Sequence, residues 1–328
     1  DIGSNTIRLN VYQVEEDGAI HSIFQSKETA GLAGYVREDG SMSREGLDRA
    51  ADALLRFRSI LDALHIENRA VFATASLRNI TNSEEAVFQL QERTGLMIRL
   101  LSGREEAILD YVGATSGTEE REQGMVLDIG GGSTDIAVIS MGGRVKAASV
   151  PVAGNAFDRC IAQYVQEKFQ IAIGPLTAEA LKKQVACCTK SEFEGVMEVR
   201  GHSWETNLPA RHVIYTRDLY EPVQELASRI AAAARAVLES TPPELAADVS
   251  SSGVLLTGGG SLLRGLASYI AGELHVDVAI APDPLNCVAR GTAISLSEGR
   301  YLTAGFRDAT PKAWHKRLQN NHDPFAGE

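Results

Sequence analysis

The sequence predicts an α/β protein of two domains, and two observations carry that prediction. Stretches with the two-residue period of strands alternate with stretches of helical period along 328 residues, a length that fits about two domains. A strand that ends in aspartate and runs into glycine and hydroxyl residues also occurs twice, at Asp1–Thr6 and at Asp128–Asp135. A motif repeated in the same form in both halves indicates two domains of related architecture.

The first predicted domain covers residues 1–112. Its opening strand alternates apolar Ile7, Leu9 and Val11 with polar neighbours, and the sequence starts beside it without Met, so we expect a few residues upstream. The later elements are a helix at 43–64, a strand at 70–73, a helix capped by Asn82 and ended by Gly95, a strand at 96–101 and a helix opened by the capping box Ser102–Glu105.

The second predicted domain covers residues 113–305, beginning with a hinge loop at 113–124 and followed by a tail at 306–328. A small inserted subdomain is expected near 175–235, where strand-like stretches lie between helices. The other expected elements are strands at 125–128, 136–139, 145–150, 254–257 and 276–279, and helices at 155–169, 177–186, 217–239, 262–273 and 285–297.

Charge and composition exclude several classes of protein. The net charge is −11, so the basic surface of a nucleic-acid-binding protein is absent. No apolar run approaches the roughly 20 residues that span a bilayer, and no signal peptide is recognisable. The four cysteines form no Cys-x-x-Cys pair, which is typical of idle thiols in a reducing compartment. We therefore expect a cytoplasmic protein that binds no nucleic acid.

Both aspartate–glycine motifs predict phosphate-binding loops. Glycine lets backbone N–H groups approach an anion closely, and hydroxyl side chains add donors to phosphate oxygens. Each loop alone also fits a plain glycine turn, but two in the same register favour phosphate. Carboxylates repel phosphate, so Asp1 and Asp128 are candidates for holding Mg²⁺, which bridges to the phosphates. The candidate phosphate contacts are Gly3, Ser4, Asn5 and Thr6, and Gly130, Gly131, Gly132, Ser133 and Thr134.

A third glycine segment, Gly258, Gly259 and Gly260, follows the strand expected at 254–257. Three glycines permit the close approach of a flat or bulky group. A helix expected to begin near Leu262 would favour an anion at its N-terminus. Placed after the two phosphate loops, the segment predicts a contact to adenosine or guanosine.

These three loops in this order resemble the actin-like ATPase superfamily, which implies its two-domain, ribonuclease H-like fold with a cleft between the domains. Two families of that superfamily are similar to different halves of the chain. Residues 1–112 resemble the exopolyphosphatase / guanosine pentaphosphate phosphatase family in Asp1–Arg8, Ala73–Arg78 and Ser102–Ala107. The second half resembles the bacterial actin-like rod-shape family MreB in residues 138–143, 177–179, 197–201, 241–248 and 257–265.

The resemblance implies a catalytic role for charged side chains in the first half. Glu106 is the first candidate to accept a proton from the attacking water, since both families place a glutamate near this point. Glu105 is the alternative, and a third interpretation makes both ordinary first-turn acids. Arg78, and with weaker support Arg104, would match the geometry of a transferred phosphoryl group.

Two functions from different classes follow. The half with Glu106 and Arg78 favours a Mg²⁺-dependent phosphohydrolase that cleaves a terminal phosphoanhydride of ATP, guanosine pentaphosphate or polyphosphate by water attack. The other half favours an MreB-like ATP-binding cytoskeletal protein with slow hydrolysis, and a homodimer or filament is the expected assembly. There Glu179 with Lys182 or Lys183 would contact ribose hydroxyls, or else form ion pairs on the helix surface.

Overall fold

The computed structural model describes residues 1–15, 19–116, 123–140, 143–190 and 193–298. The chain divides into two compact units. Unit 1 comprises Asp1–Ser116 and Asn286–Glu328, and unit 2 comprises Gly117–Leu285. The last described helix thus falls in unit 1, whereas the sequence interpretation carries the second domain on to residue 305. The predicted tail at 306–328 lies outside the described residues, as do positions 117–122 of the predicted hinge.

Unit 1 combines two strand pairs with helices. Its elements in chain order are β1 (Thr6–Val14), β2 (Ile20–Thr29), α1 (Arg44–Ala63), β3 (Val71–Ala73), α2 (Ala75–Arg78), α3 (Ser83–Thr94), β4 (Ile98–Leu100), α4 (Gly103–Thr115) and, from the far end of the chain, α10 (Cys287–Glu298). The strands β1 and β2 form an antiparallel hairpin, and β3 and β4 pair in parallel. The apolar face of α1, including Leu47, Leu54 and Phe57, is buried in the core of this unit.

The helix α10 joins unit 1 because two glycines let it lie close to α4. A Cβ at Gly113 would overlap the backbone of Cys287, and one at Gly291 would overlap the carbonyl of Leu109. Helices approach this closely only where small residues remove the side-chain layer between them. The contact joins residues that are far apart in sequence, and local periodicity does not predict it.

Unit 2 contains a mixed five-stranded sheet and a smaller antiparallel sheet. Its elements are β5 (Gln123–Ile129), β6 (Thr134–Ser140), β7 (Gly143–Val150), α5 (Gly154–Phe169), β8 (Ile171–Ala172), α6 (Pro175–Gln184), β9 (Val196–Ser203), β10 (Pro209–Tyr215), α7 (Thr216–Glu239), α8 (Pro243–Ser252), β11 (Val254–Thr257), α9 (Leu266–Leu274) and β12 (Val278–Ile280). The larger sheet has the order β12-β11-β5-β6-β7, and the smaller one has the order β10-β9-β8.

The centre of the larger sheet is apolar on both faces. In β6 the residues from Thr134 to Ile139 are buried, and in β5 those from Gly124 to Leu127 are. Strands covered on both sides read as near-continuous apolar runs, which explains why the sequence shows them clearly. This sheet carries the aspartate–glycine loop of unit 2 at the end of a buried strand.

The start of α3 is held by a contact that is distant in sequence. Asn82 occupies the N-cap position of α3 as predicted, but its side chain makes no capping hydrogen bond. The side chain instead accepts from the amide of Met42 at 2.7 Å and donates to the Met42 carbonyl at 3.2 Å. A tertiary contact 40 positions away therefore takes the place of the local cap.

In the described part of the chain, no helix has both the length and the apolar character needed to cross a membrane.

Candidate nucleotide-binding site

In unit 1, three connections that carry candidate residues meet at one edge of the strands. The strands β3 and β4 run parallel, and Ile2 bridges Ala73 in the same direction. The carboxyl ends of parallel strands lie at the same edge, which is where ligands bind in α/β sheets. The first loop, the residues from Thr74 to Arg78 and the start of α4 all follow these ends.

The first loop is fastened to its own unit by backbone hydrogen bonds. The amide of Gly3 donates to the Thr6 carbonyl at 3.2 Å, and the carbonyls of Ser4 and Asn5 accept from the amides of Ala33 and Gly31, each at 2.9 Å. The loop residues from Gly3 to Thr6 remain partly exposed. The loop is therefore held in shape while part of it stays accessible to a ligand.

The two catalytic candidates of unit 1 contact each other. A guanidinium nitrogen of Arg78 lies 2.7 Å from Oε2 of Glu106 and donates to the Leu101 carbonyl at 2.8 Å. The Glu106 side chain is 6% exposed and that of Arg78 is 19% exposed, so the pair is largely screened from water. Arg78 therefore orients the carboxylate that the sequence predicts to activate water.

Glu105 has a structural role, as its position in a capping box predicts. Its carboxylate accepts from the Ser102 amide at 2.7 Å, and the Ser102 hydroxyl accepts from the Glu105 amide at 3.2 Å. Its other oxygen lies 2.9 Å from the guanidinium of Arg99. Arg104 is exposed, which fits an ordinary surface arginine. Of the two acids, Glu105 is thus engaged in the helix cap, and Glu106 is not part of it.

In unit 2, the second aspartate–glycine loop is the turn between β5 and β6. The Gly130 amide donates to the Ser133 carbonyl at 3.0 Å. The carbonyls of Gly130 and Gly131 accept from the amides of Gly154 and Asn155, at 3.1 and 2.8 Å. The Thr134 hydroxyl donates to the Val152 carbonyl at 2.6 Å, and the Ser133 hydroxyl donates to Asp135 at 3.2 Å. This loop is therefore docked against the start of α5.

The glycine segment after β11 lies directly beside Asp128. Thr257 is the parallel partner of Asp128, and Gly258 has a φ of 74°. A Cβ on Gly258 would overlap the Asp128 carboxylate and the Ile129 carbonyl, and one on Gly260 would overlap the Ile129 side chain. The structure thus brings together the second loop and the third glycine segment, both of which the sequence predicts to bind nucleotide.

The segment that follows those glycines differs from the sequence prediction. A helix was expected to begin near Leu262, but Gly259–Leu262 forms a single 3₁₀ turn and α9 begins at Leu266. Gly265 has a φ of 77° and separates the two. The left-handed residue breaks the helical register, so the α-helical N-terminus does not follow directly on Gly260.

Lys182 lies against the start of α5, where the second loop is docked, whereas Lys183 points outward. The ammonium of Lys182 donates to the Gly154 carbonyl at 3.0 Å and lies 2.8 Å from an Asp158 oxygen, both side chains being less than one-fifth exposed. Lys183 pairs with Glu179 at 2.6 Å and is 65% exposed. Of the ribose-contact candidates, Glu179 therefore forms the helix-surface ion pair, and Lys182 faces the loop.

Gly154 and Asp158 are site residues that the sequence reasoning did not assign a role. A Cβ on Gly154 would lie 3.3 Å from the Gly130 carbonyl and 3.5 Å from the Lys182 nitrogen. Burial raises the pKa of the Asp158 carboxyl above its ordinary value of 3.8, while the Lys182 ammonium acts in the opposite direction. The signal in the sequence is the resemblance of Gly154 and Phe157-Asp158 to the MreB family, a resemblance that by itself assigns these residues no role.

The two loops each begin at one aspartate, Asp1 in unit 1 and Asp128 in unit 2. Among the described residues, no group of three or more His, Cys, Asp or Glu side chains is placed to hold a metal ion alone. Oδ1 of Asp1 is buried and has no hydrogen-bond partner in that part of the chain. Mg²⁺ is usually held by one or two carboxylates together with substrate phosphates, so a single aspartate in a unit fits the prediction made for it.

Comparison with known proteins gives one family. The family model of the MreB/Mbl protein matches residues 58–303. Mbl, a cell shape-determining protein of Bacillus cereus, is 42% identical over 219 residues, which are 66% of this chain and 65% of Mbl. MreB, a cell shape-determining protein of Escherichia coli, is 39% identical over 187 residues, 57% of this chain and 54% of MreB. The chain thus spans just under two thirds of the length of Mbl and about half the length of MreB.

Solved structures agree on the fold. MreB5 of Spiroplasma citri bound to ADP superposes with a TM-score of 0.70 at 25% identity, covering 98% of this chain and 97% of that protein. A MamK double helical filament superposes with a TM-score of 0.59 at 20% identity, covering 91% of this chain and 97% of MamK. The predicted actin-like α/β fold class is therefore confirmed.

These matches overturn the first functional hypothesis. A phosphohydrolase of the exopolyphosphatase / guanosine pentaphosphate phosphatase type was inferred from short motifs, among them 73–78 and 102–107. The MreB/Mbl match begins at residue 58 and includes both stretches, so they do not mark a phosphatase. Matched from residue 58 to 303, the chain belongs to the MreB/Mbl family.

Proposed function

We propose that this chain is an ATP-binding cytoskeletal protein that assembles into filaments and contributes to cell shape. The observation that carries the proposal is the MreB/Mbl match over residues 58–303, which contains the second loop, Lys182 and the glycine segment at 258–260. The relatives at 42% and 39% identity are cell shape-determining proteins, and MreB5 of Spiroplasma citri is bound to ADP.

The residues of each unit have distinct parts in nucleotide binding. In unit 2, the loop at 130–134 contacts phosphates, and Gly258–Gly260 with Lys182 borders the nucleoside. In unit 1, Gly3, Ser4, Asn5 and Thr6 add phosphate contacts. Asp1 and Asp128 would hold Mg²⁺, which neutralises phosphate charge when bound. The glycines matter because they leave room for phosphate oxygens next to backbone N–H groups.

Hydrolysis in this proposal is slow and depends on Glu106. The carboxylate accepts a proton from the water that attacks the terminal phosphate, and Arg78 keeps it oriented through the 2.7 Å ion pair. In a protein of this kind, the slow hydrolysis would follow assembly and limit how long a filament keeps its ATP.

Sedimentation tests the assembly. The purified chain is centrifuged at rising protein concentration with ATP, with ADP and without nucleotide. We expect a pelleted fraction that appears above a threshold concentration and is largest with ATP. A protein that stays in the supernatant as a dimer with every nucleotide, or that shows no ATP binding by calorimetry, contradicts the proposal.

Phosphate release tests the role of Glu106. Glu106→Gln keeps an oxygen for Arg78 but cannot take a proton, and we expect the rate on ATP to fall roughly 100-fold while ATP affinity is kept. The matched control is Glu244→Gln, which alters an exposed first-turn acid of α8. An unchanged rate in Glu106→Gln, or an equal loss in the control, removes Glu106 from catalysis.

A further inference from the structure

The small sheet of unit 2 ends at β10, whose side away from β9 is here called the open edge. The sheet order is β10-β9-β8, and among the described residues no strand pairs with the open edge. Side chains alternate between the two faces of a strand, and Val199 and Ile214 lie in the core of the unit. The other face, called the outer face, consists of exposed residues: Val196, Glu198, Arg200 and His202 of β9, and Pro209, Arg211, Val213 and Tyr215 of β10.

The register of the hairpin determines which backbone groups point to the open edge. The Ser203 amide donates to the Leu208 carbonyl at 2.9 Å, so these two residues form a hydrogen-bonded pair. Bonded and non-bonded pairs alternate along an antiparallel ladder, which places Arg211 and Val213 in non-bonded pairs. Their N–H and C=O groups therefore point away from β9. Two residues of β10 thus offer donors and acceptors to a further strand.

One end of the open edge is already bound by a carboxylate. Tyr215 follows Val213 by two positions, so its amide also points outward, and it donates to Oδ2 of Asp218 at 2.8 Å. Asp218 belongs to the first turn of α7. The guanidinium carbon of Arg217 lies 4.4 Å from the centroid of the Tyr215 ring. The open edge therefore ends at Tyr215, and Arg211 and Val213 carry its available amides.

The outer face carries an excess of positive charge. Arg200 and Arg211 are directly opposite each other in a non-bonded pair, the closer of the two kinds, where like charges destabilise a sheet. Both guanidiniums contact a single oxygen of Glu198, at 3.4 and 3.8 Å, and the two arginine side chains are 73% and 65% exposed. With Arg217 on the Tyr215 ring, this face has more cations than carboxylates, although the whole chain has a net charge of −11.

We propose that β10 binds an extended acidic peptide segment of a partner protein, which adds a fourth strand to the small sheet. Main-chain hydrogen bonds to Arg211 and Val213 supply affinity, as in other complexes formed by strand addition. Carboxylates on the outer face of the added strand pair with the guanidiniums of Arg211 and Arg200, which supplies specificity. The partner is identified by charge complementarity.

The charge on β10 also excludes other partners. A charged side chain on an edge strand normally discourages pairing, and a positive one repels a strand that places lysine or arginine beside it. An aspartate or glutamate at the same place is attracted to Arg211. On the other face of the added strand, the neighbour is the buried Ile214, which favours apolar residues there. The expected segment therefore alternates acidic and apolar side chains.

Binding of a short labelled peptide tests the proposal. The probe is Thr-Val-Glu-Val-Glu-Val-Thr with a fluorescein label, and fluorescence anisotropy measures its affinity for the whole chain. No nucleotide is present, so the result does not depend on filament assembly. One matched peptide has lysine for both glutamates, and another is N-methylated at its three central amides, which keeps both charges but removes the donors. We expect each change to weaken binding about tenfold or more.

A pair of protein variants tests the charge. Arg211→Ala removes a guanidinium beside the open edge, and we expect the probe to bind about tenfold more weakly. The matched control is Arg229→Ala, which removes another exposed arginine of unit 2 and should keep the original affinity. Arg211→Ala also removes a like-charge contact with Arg200, so the sheet should stay folded, as circular dichroism would show. Equal affinities of the two variants overturn the proposal.

Hydrogen exchange locates the peptide. The amides of Arg211 and Val213 point to the open edge, whereas the amide of Arg200, in the same non-bonded pair as Arg211, points to the opposite edge of β9. We expect the probe to slow exchange about tenfold at the first two amides and to leave Arg200 unchanged. Protection at Arg200 alone, or equal binding of all three peptides, overturns the proposal.

Sedimentation equilibrium without nucleotide distinguishes a partner protein from a second copy of this chain. We expect the probe to leave the oligomeric state of the chain unchanged. Self-association that the probe reverses, and that Arg211→Ala weakens, makes a second copy the occupant of the open edge. That result overturns the assignment to a partner protein.

Discussion

The two aspartate–glycine loops are alike in sequence, and both are fastened by backbone hydrogen bonds, but their surroundings differ. Near the first loop, unit 1 places two largely buried ion pairs, Arg78 with Glu106 and Arg99 with Glu105. Around the second loop, unit 2 has one such ion pair, Lys182 with Asp158, and adds close backbone approach at Gly154 and Gly258. The motif therefore specifies a turn, and the surrounding residues decide whether the site offers oriented charge or space beside the backbone.

The largest expected effect breaks the backbone approach in unit 2. Gly258→Ala puts a methyl group onto the Asp128 carboxylate and strains a residue whose φ is 74°. We expect a loss of roughly 4 kcal/mol in the free energy of unfolding, measured by urea denaturation. The control is Gly272→Ala in α9, where a Cβ meets no atom within 4 Å. It should stabilise by about 0.5–1 kcal/mol, and equal losses would contradict the packing argument.

The next effect breaks the buried charge of unit 1. Arg78→Ala removes the guanidinium from a Glu106 carboxylate that is 6% exposed. Removing one partner of a buried pair costs about 3 kcal/mol. Arg56→Ala is the matched control, since it breaks a pair with Glu28 in which the side chains are 56% and 37% exposed. That loss should stay below about 1 kcal/mol. Equal losses in the two variants would contradict the argument that burial makes the Arg78–Glu106 pair the more costly one to break.

The third effect separates two neighbouring lysines of unit 2. Lys182→Ala removes the ammonium that contacts Asp158 and the Gly154 carbonyl, and we expect ATP affinity to fall about tenfold. Lys183→Ala removes an exposed pair with Glu179 and should leave affinity unchanged. Calorimetric titration of both variants measures this, and equal affinities would place Lys182 outside the site.

The pH dependence of Lys182→Ala sharpens the same point. Folding raises the pKa of Asp158, so its ionised form destabilises the fold above that pKa, and the penalty disappears below the ordinary value of 3.8. Lys182 opposes this rise. The variant should therefore lose more stability at pH 7 than at pH 4, as measured by urea denaturation at the two pH values. A loss independent of pH would contradict the pairing.

The smallest effect concerns a buried thiol in unit 2. Burial raises the pKa of Cys188 to about 12, so the reactive thiolate is scarce near pH 8. We expect thiol reagents to leave Cys188 unmodified in the folded protein at pH 8, as mass spectrometry of the peptides would show. Denatured protein is the control and should react. Rapid labelling of the folded protein would show that the core of this unit opens.

Several elements were predictable because their causes lie within a few residues. The capping box from Ser102 to Glu105, the end of α3 at Gly95 and the alternation along β1 are local, and the structure contains all three. Asn82 stands at the expected N-cap position, but its side chain bonds to Met42, 40 positions away, and makes no local cap. The predicted phosphatase function was wrong because it rested on short motifs, and the MreB/Mbl match from residue 58 to 303 includes two of them.

By itself, the sequence determined the α/β class, the two aspartate–glycine loops and the third glycine segment, because the strand period and the glycine positions are local features of the sequence. Only the tertiary structure decided which charged groups meet. Arg78 and Glu106 are 28 positions apart in sequence, and Lys182 and Asp158 are 24 apart. Helix and strand periodicity predicts which residues share a face of one element, but not contacts between elements so far apart. The choice of Lys182 over Lys183 depends on which face of α6 is buried, and the membership of α10 in unit 1 depends on a glycine contact with α4. Contacts of this kind form only when the core brings distant segments together.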